Sequence, residues 1–180
     1  SAGNNTQGTD SVAIGRLSGT TTQGTQSVAV GRQAGSTSQG NFSVAVGYLS
    51  GASSQGNNSV AVGNGAGQTT QGGSSVAVGL EAGATNQSST CVAVGRRAGY
   101  SGQSPNATAV GNQAGFNNMG QNAVAVGYNA GNNNFADRAV ALGAFAGQNV
   151  TGSNAICIGY NAGGGVSVGA NTIVIDALGT

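Results

Sequence analysis

The sequence predicts an all-β fold, a parallel β-roll or β-solenoid built from short stacked coils. Three observations predict it: a five-residue phrase recurs every 16 residues, small and aliphatic side chains alternate within it, and glycine holds two fixed places in every copy. Internal repetition outranks local propensity as a guide to fold, because stacked units bury together what no unit buries alone.

The phrase is Ser11-Val12-Ala13-Ile14-Gly15, repeated from Ser27, Ser43, Ser59, Ser75, Cys91, Ala107, Ala123, Ala139 and Ala155. Ten copies span residues 11–170, half a copy precedes them at 1–10, and residues 171–180 read as the first part of another copy that caps the roll. Starting and stopping in mid-repeat predicts a segment of something longer. The first position is Ser, Cys or Ala, the second and fourth are aliphatic except at Thr108, and the fifth is always glycine. The eighth is Ala or Ser, and the ninth is glycine from Gly3 to Gly179. A period of two is a strand period. Two glycines at fixed places in every 16-residue copy, together with β-branched aliphatics, disfavour helix. The polar Thr/Ser/Asn/Gln stretch that follows supplies a second strand or loop, so each coil carries two strands. Eleven coils at about 4.8 Å each make a rod of roughly 50 Å. A disordered linker is the competing reading of so much Gly, Ser, Asn and Gln. Strict phasing of the aliphatic pair argues against it.

Alternation also assigns faces. The expected interior spine is Val12, Ile14, Val28, Val30, Val44, Val46, Val60, Val62, Val76, Val78, Val92 and Val94, with the Ser/Ala face outward for close approach of neighbouring chains. Two aliphatic side chains and one alanine are little burial against the entropy of ordering 16 residues, so a lone roll is marginal. Lateral association into a homo-oligomer is expected. At the thirteenth position Gln7, Gln23, Gln39, Gln55, Gln71, Gln87 and Gln103 form an amide column expected to hydrogen-bond from coil to coil. Met119, Phe135 and Thr151 take over that place, and with Phe116 and Phe145 they predict a wider interior or interface toward the C-terminal end.

Composition removes most chemistry. Among 180 residues there are five basic and four acidic side chains and no histidine, giving a net charge of +1. No histidine-based triad or imidazole metal site is available in cis. Near-neutrality leaves no strong attraction to nucleic acid. No apolar run approaches the roughly 20 residues that span a bilayer. Asp10, Asp137 and Asp176 fall far short of one aspartate per repeat, so a calcium-binding roll is excluded, and with Glu81 they pair into no acid–base site. Gly63-Asn64-Gly65-Ala66-Gly67 lacks the lysine and helix of a phosphate loop. Cys91 and Cys157, 66 positions apart, read as small buried hydrophobes. No enzyme activity, cofactor or metal is expected.

Variation concentrates at the sixth and seventh positions, which carry four of the five arginines. Arg16, Arg32, Tyr48, Arg96, Arg97, Tyr128 and Tyr160 form a candidate stripe that meets a ligand or a neighbouring subunit, where arginines would find Glu81-type partners. Thr20-Thr21-Thr22, Ser36-Thr37-Ser38 and Gln68-Thr69-Thr70 make a Thr/Ser row, the basis of an ice-binding alternative, although Asn132-Asn133-Asn134 and Gly164-Gly165-Val166 break it.

Ser-Val-Ala-Ile/Val-Gly followed by Ala-Gly and a polar stretch, ten times in phase, resembles the head repeats of trimeric autotransporter adhesins of the YadA-like type. The resemblance implies a left-handed roll, three rolls around a common axis, and a surface fibre that meets a host-surface protein or glycan. Phage and large-virus fibre proteins reuse such repeats, and Asn171-Thr172-Ile173-Val174-Ile175-Asp176 is similar to the exit from repeats in those proteins. The expected function is thus a structural and adhesive module of an extracellular fibre, on a bacterium or a virion, with a passive spacer as the alternative.

Overall fold

The computed structural model describes residues 1–164 and 167–176. Its 20 strands fall into two parallel sheets that alternate along the chain as far as Val140–Leu142, after which only the second sheet continues. Nine strands, from Thr6–Gln7 to Asn133–Phe135, form a polar sheet; eleven, from Val12–Ile14 to Ile173–Ile175, form an aliphatic sheet. Each strand pairs with the one a full coil away, so Val28 lies over Val44 and Val44 over Val60, and Gln23 lies over Gln39. Residues 16 apart are vertical neighbours, as the repeat requires.

Backbone hydrogen bonds run along the rod. Val28 N donates to Ser43 O at 2.9 Å, and Gly31 N to Ile14 O at 2.7 Å. The fifth-position glycine is a steric necessity. At Gly31 φ is +131°, and a Cβ there would stand 2.5 Å from the carbonyl oxygen of Gly47 one coil on. The same approach repeats from Gly15 to Gly143, so any side chain would wedge two coils apart. Two turn positions are left-handed although, apart from Gly65, they are not glycine. The seventh runs from Leu17 (φ 60°) to Asn161 (φ 58°), and the sixteenth from Asp10 (φ 57°) to Asn171 (φ 57°). β-Branched residues are costly in that conformation, and the seventh position has none. What looks like free variation there is filtered by backbone geometry.

The faces are the reverse of those expected. Ser27, Ala29, Ala34 and Gln39 are fully or almost fully buried, whereas Val28 and Val30 are only half-buried on the outer surface. The pattern holds for Val44, Val46, Val60, Val62, Val76, Val78, Val92 and Val94, and in the first coil Val12 and Ile14 are exposed. Alternation fixes which residues share a face but not which face turns inward. The gap between the sheets is narrow: it admits serine and alanine from the aliphatic sheet, alanine or serine from the turn, and one long side chain from the polar sheet.

The final coils depart from strict phase. Val140 pairs with Ile156 after 16 residues, but Ile156 pairs with Ile173 after 17. The last described strand therefore belongs to a coil that starts at Thr172, not at Asn171, and Asp176 takes the fifth place. The capping segment expected at 171–180 is described only to Asp176; Gly179 lies outside the described residues, as do Gly165 and Val166. In the ninth coil Val150 fills the interior and Thr151 is exposed, contrary to the sequence phase.

Candidate functional site: two outer faces of the rod

The outer face of the aliphatic sheet carries two columns of aliphatic side chains, one residue of each per coil, from Val12 and Ile14 to Ile173 and Ile175. The columns are interrupted chemically only by Thr108. No element among the described residues covers them: inner valines are half-buried, and Ile175 at the far end is 72% exposed.

The sixth position lies just past this face. Arg16, Arg32, Tyr48, Arg96, Tyr128 and Tyr160 are all exposed. Arg32 places its guanidinium 5.3 Å from the Tyr48 ring centroid, a cation–π contact one coil apart. Phe145, at the seventh position, sits between Tyr128 and Tyr160 with edge-to-face centroid distances of 5.0 and 5.8 Å. Arg97 is half-buried and bonds Glu81 directly below it at 2.6 Å, so this pair closes within one chain and does not wait for a neighbouring subunit. Its guanidinium also approaches Tyr100. The aromatic residues of the C-terminal part do not form one cluster. Met119 and Phe135 stack in the interior, Phe116 stacks on Tyr100 at 5.0 Å, and Phe145 joins the outer tyrosines.

Inside the rod, the glutamine amides act mainly across the roll. Gln23 Nε2 donates to Val12 O at 2.7 Å and Gln39 Nε2 to Val28 O at 2.7 Å, tying the polar sheet to the aliphatic sheet within a coil. The ninth glycine makes room, since a Cβ on Gly35 would stand 2.8 Å from Gln39 Oε1. Among the described residues one glutamine amide bonds another, Gln87 Nε2 to Gln103 Oε1 at 3.1 Å. The Oε1 atoms of Gln23, Gln39, Gln55, Gln71 and Gln87 are buried without a partner. Gln7, in the first coil, is exposed and bonds Ser11 O. Sequence reasoning found this column but not its transverse bonding, which depends on how close the two sheets lie.

Both cysteines are free and buried. Burial pushes the Cys91 thiol upward, with backbone hydrogen bonds opposing it in part, and burial alone raises Cys157. Raised thiols stay protonated and inert. Among the described residues no three Cys, Asp or Glu side chains converge into a metal site, and no helix is long and apolar enough to cross a membrane.

This is a repetitive scaffold with broad outer faces, the design of a structural module. The profile of the YadA head domain repeat, two copies long, matches residues 7–34, 23–50 and 38–66, and the coil register established there continues unchanged to Ile156. Within residues 7–66 the chain is thus similar to YadA-like head repeats, the adhesin-type structural module of trimeric autotransporters, and the later coils keep the same register. Head domains of this family form trimers and stand on the bacterial surface. No curated protein and no solved structure matches the chain.

Proposed function

We propose that three copies of this chain pack their aliphatic sheets around a common axis as left-handed rolls, forming a stiff segment of a bacterial surface fibre that attaches the cell to a host or another surface. The observation that carries the reading is the pair of uncovered aliphatic columns, ten coil steps long, or about 48 Å. Soluble monomers rarely expose a continuous apolar strip of that length. Covering it supplies burial that the roll's interior of Ser, Ala and Gln lacks. In such an assembly Val28, Val30 and their equivalents are the core of the trimer rather than of the coil. Arg16, Arg32, Tyr48, Arg96, Tyr128 and Tyr160 rim that core, placed for either a neighbouring subunit or a ligand.

Match to a bacterial head repeat favours the cell surface over a virion. Sedimentation equilibrium tests the assembly: a trimer is expected, and Val62→Arg should shift it to monomer. A folded wild-type monomer at micromolar concentration would refute the reading. Attachment is tested by binding of the segment to host cells and matrix proteins beside a full-length fibre. Retention by the segment supports an adhesin, and its loss makes this part a spacer.

A further inference from the structure

The polar sheet, on the opposite side of the roll from the aliphatic columns, carries two adjoining hollows of about 350 and 480 Å³ that meet at Asn86 and Ser88. They form a furrow across the fourth to seventh coils. Its origin lies at the twelfth position. In the first four coils that place holds Thr22, Ser38, Ser54 and Thr70 in ordinary extended geometry; from the fifth it turns left-handed, at Asn86 (φ 53°), Gly102 (φ 72°), Asn118 (φ 48°) and Asn134 (φ 45°). Asn118 Nδ2 bonds Asn134 Oδ1 at 3.0 Å, continuing a ladder of amides. Gly102 breaks that ladder. The gap it leaves faces Asn118 Oδ1, which would stand 2.9 Å from a Cβ at Gly102.

The groups around the gap are neutral and unused. Among the described residues the side-chain amide of Asn86 and the hydroxyls of Ser88 and Ser104 make no hydrogen bond, and Asn118 Oδ1 accepts none. No arginine or carboxylate lines either hollow, which disfavours anions and metal cations. Backbone N–H and C=O groups here are engaged coil to coil, as in Ser88 N to Gln103 O at 2.9 Å, so an extended peptide finds no free ladder to join. What is offered is a pair of amides, Asn86 and Asn118, two coils apart across the gap, beside the hydroxyls of Ser88 and Ser104, one coil or about 4.8 Å apart. We propose that this furrow binds an extended neutral oligosaccharide laid along the rod axis, whose hydroxyl groups pair with Asn86, Ser88, Ser104 and Asn118. Because the furrow and the aliphatic columns are on opposite sheets, trimer formation leaves it open, and three copies per fibre give multivalent gain from weak sites. The assignment deepens the adhesive reading by naming a ligand class.

Amide NMR titration of the 180-residue chain tests it, with cellotetraose and N-acetylglucosamine tetramer as probes, and a sulfated tetrasaccharide and a Gly-Ser octapeptide as contrasts. A neutral tetrasaccharide is expected to shift the Asn86, Gly102, Ser104 and Asn118 signals with millimolar affinity, no weaker than the sulfated one. Gly102→Asn completes the amide ladder in a conformation asparagine already adopts at the neighbouring coils, so it fills the gap without unfolding the rod. It should weaken binding about tenfold. Asn86→Gly, which removes the exposed amide and keeps the left-handed backbone unstrained, should weaken it several-fold with the melting temperature little changed. Absence of furrow shifts with both neutral saccharides, shifts with the peptide alone, or unaltered affinity in Gly102→Asn overturns the assignment. Cell binding that survives such a failure would leave the adhesive reading standing on another surface.

Discussion

The first six coils and the last four solve the same packing problem differently. From Ser11 to Gln103 the interior is polar: serine at the first position (cysteine at Cys91) and a buried glutamine at the thirteenth. From Ala107 onward the first position is alanine, and Met119, Phe135, Val150 and Val168 fill the place of the amide. The two positions are neighbours, and the bond between them is to a backbone carbonyl that either residue supplies: Gln23 Nε2 reaches Ser27 O at 3.4 Å, and Gln103 Nε2 reaches Ala107 O at 3.1 Å. The lesson is that the shared fifth-position glycines and coil-to-coil hydrogen bonds set the backbone, leaving the interior to be completed by either chemistry. The polar solution bonds across the roll but strands an amide oxygen in five successive coils, at a desolvation cost of about 1–3 kcal/mol each.

The largest effect should be indifferent to the division. Gly47→Val and Gly127→Val place a side chain against a carbonyl 2.5 Å from the added Cβ in either region. Each should cost more than about 4 kcal/mol in denaturant unfolding; tolerance of either would mean that interior chemistry, not the glycine column, sets the coil. Phe135→Ala should then cost about 3–5 kcal/mol by opening a cavity in the apolar coils, against about 1–3 kcal/mol for Gln55→Ala. Converting one solution into the other sharpens the contrast further. Gln55→Met with Ser59→Ala removes a stranded oxygen and should raise stability by about 1 kcal/mol. Hydrogen exchange should rank the regions in the same order, with amides of the second to fourth coils exchanging before those of the seventh and eighth.

The smallest effect concerns the thiols, which sit at the boundary and in the tenth coil. Their folded-state values are raised, so in the unfolded chain they ionise first, near the ordinary 9.0. Their contribution is complete below that pH and is lost as pH rises through it. Cys91→Ser with Cys157→Ala should flatten the decline seen in melting temperature at alkaline pH.

Much of this was legible in the residues. Spacing of 16 between Val28 and Val44 dictated vertical stacking, and recurrent Gly31 and Gly47 marked close backbone approach. The inside and outside of the strand were not legible, because alternation is symmetric until the width of the roll is known. Side-chain volume held a hint: small residues at the first, third and eighth positions and glycine at the ninth fit a cavity with room for only one long side chain. The phase shift at Val150 and the 17-residue coil before Ile173 were hidden for another reason. Insertions and slips in turns leave strand patterns intact. Gly102 was visible as a letter, but its role emerges only when left-handed asparagines stand above and below it.

Nearly every bond between coils points along the rod, and the chain enters at one end and leaves at the other. Tension applied to the termini thus pulls those bonds open end-on, one storey at a time, instead of shearing many together. Each storey of 16 residues that lets go pays out about 50 Å of slack, lengthening a tether under load while the storeys below remain wound.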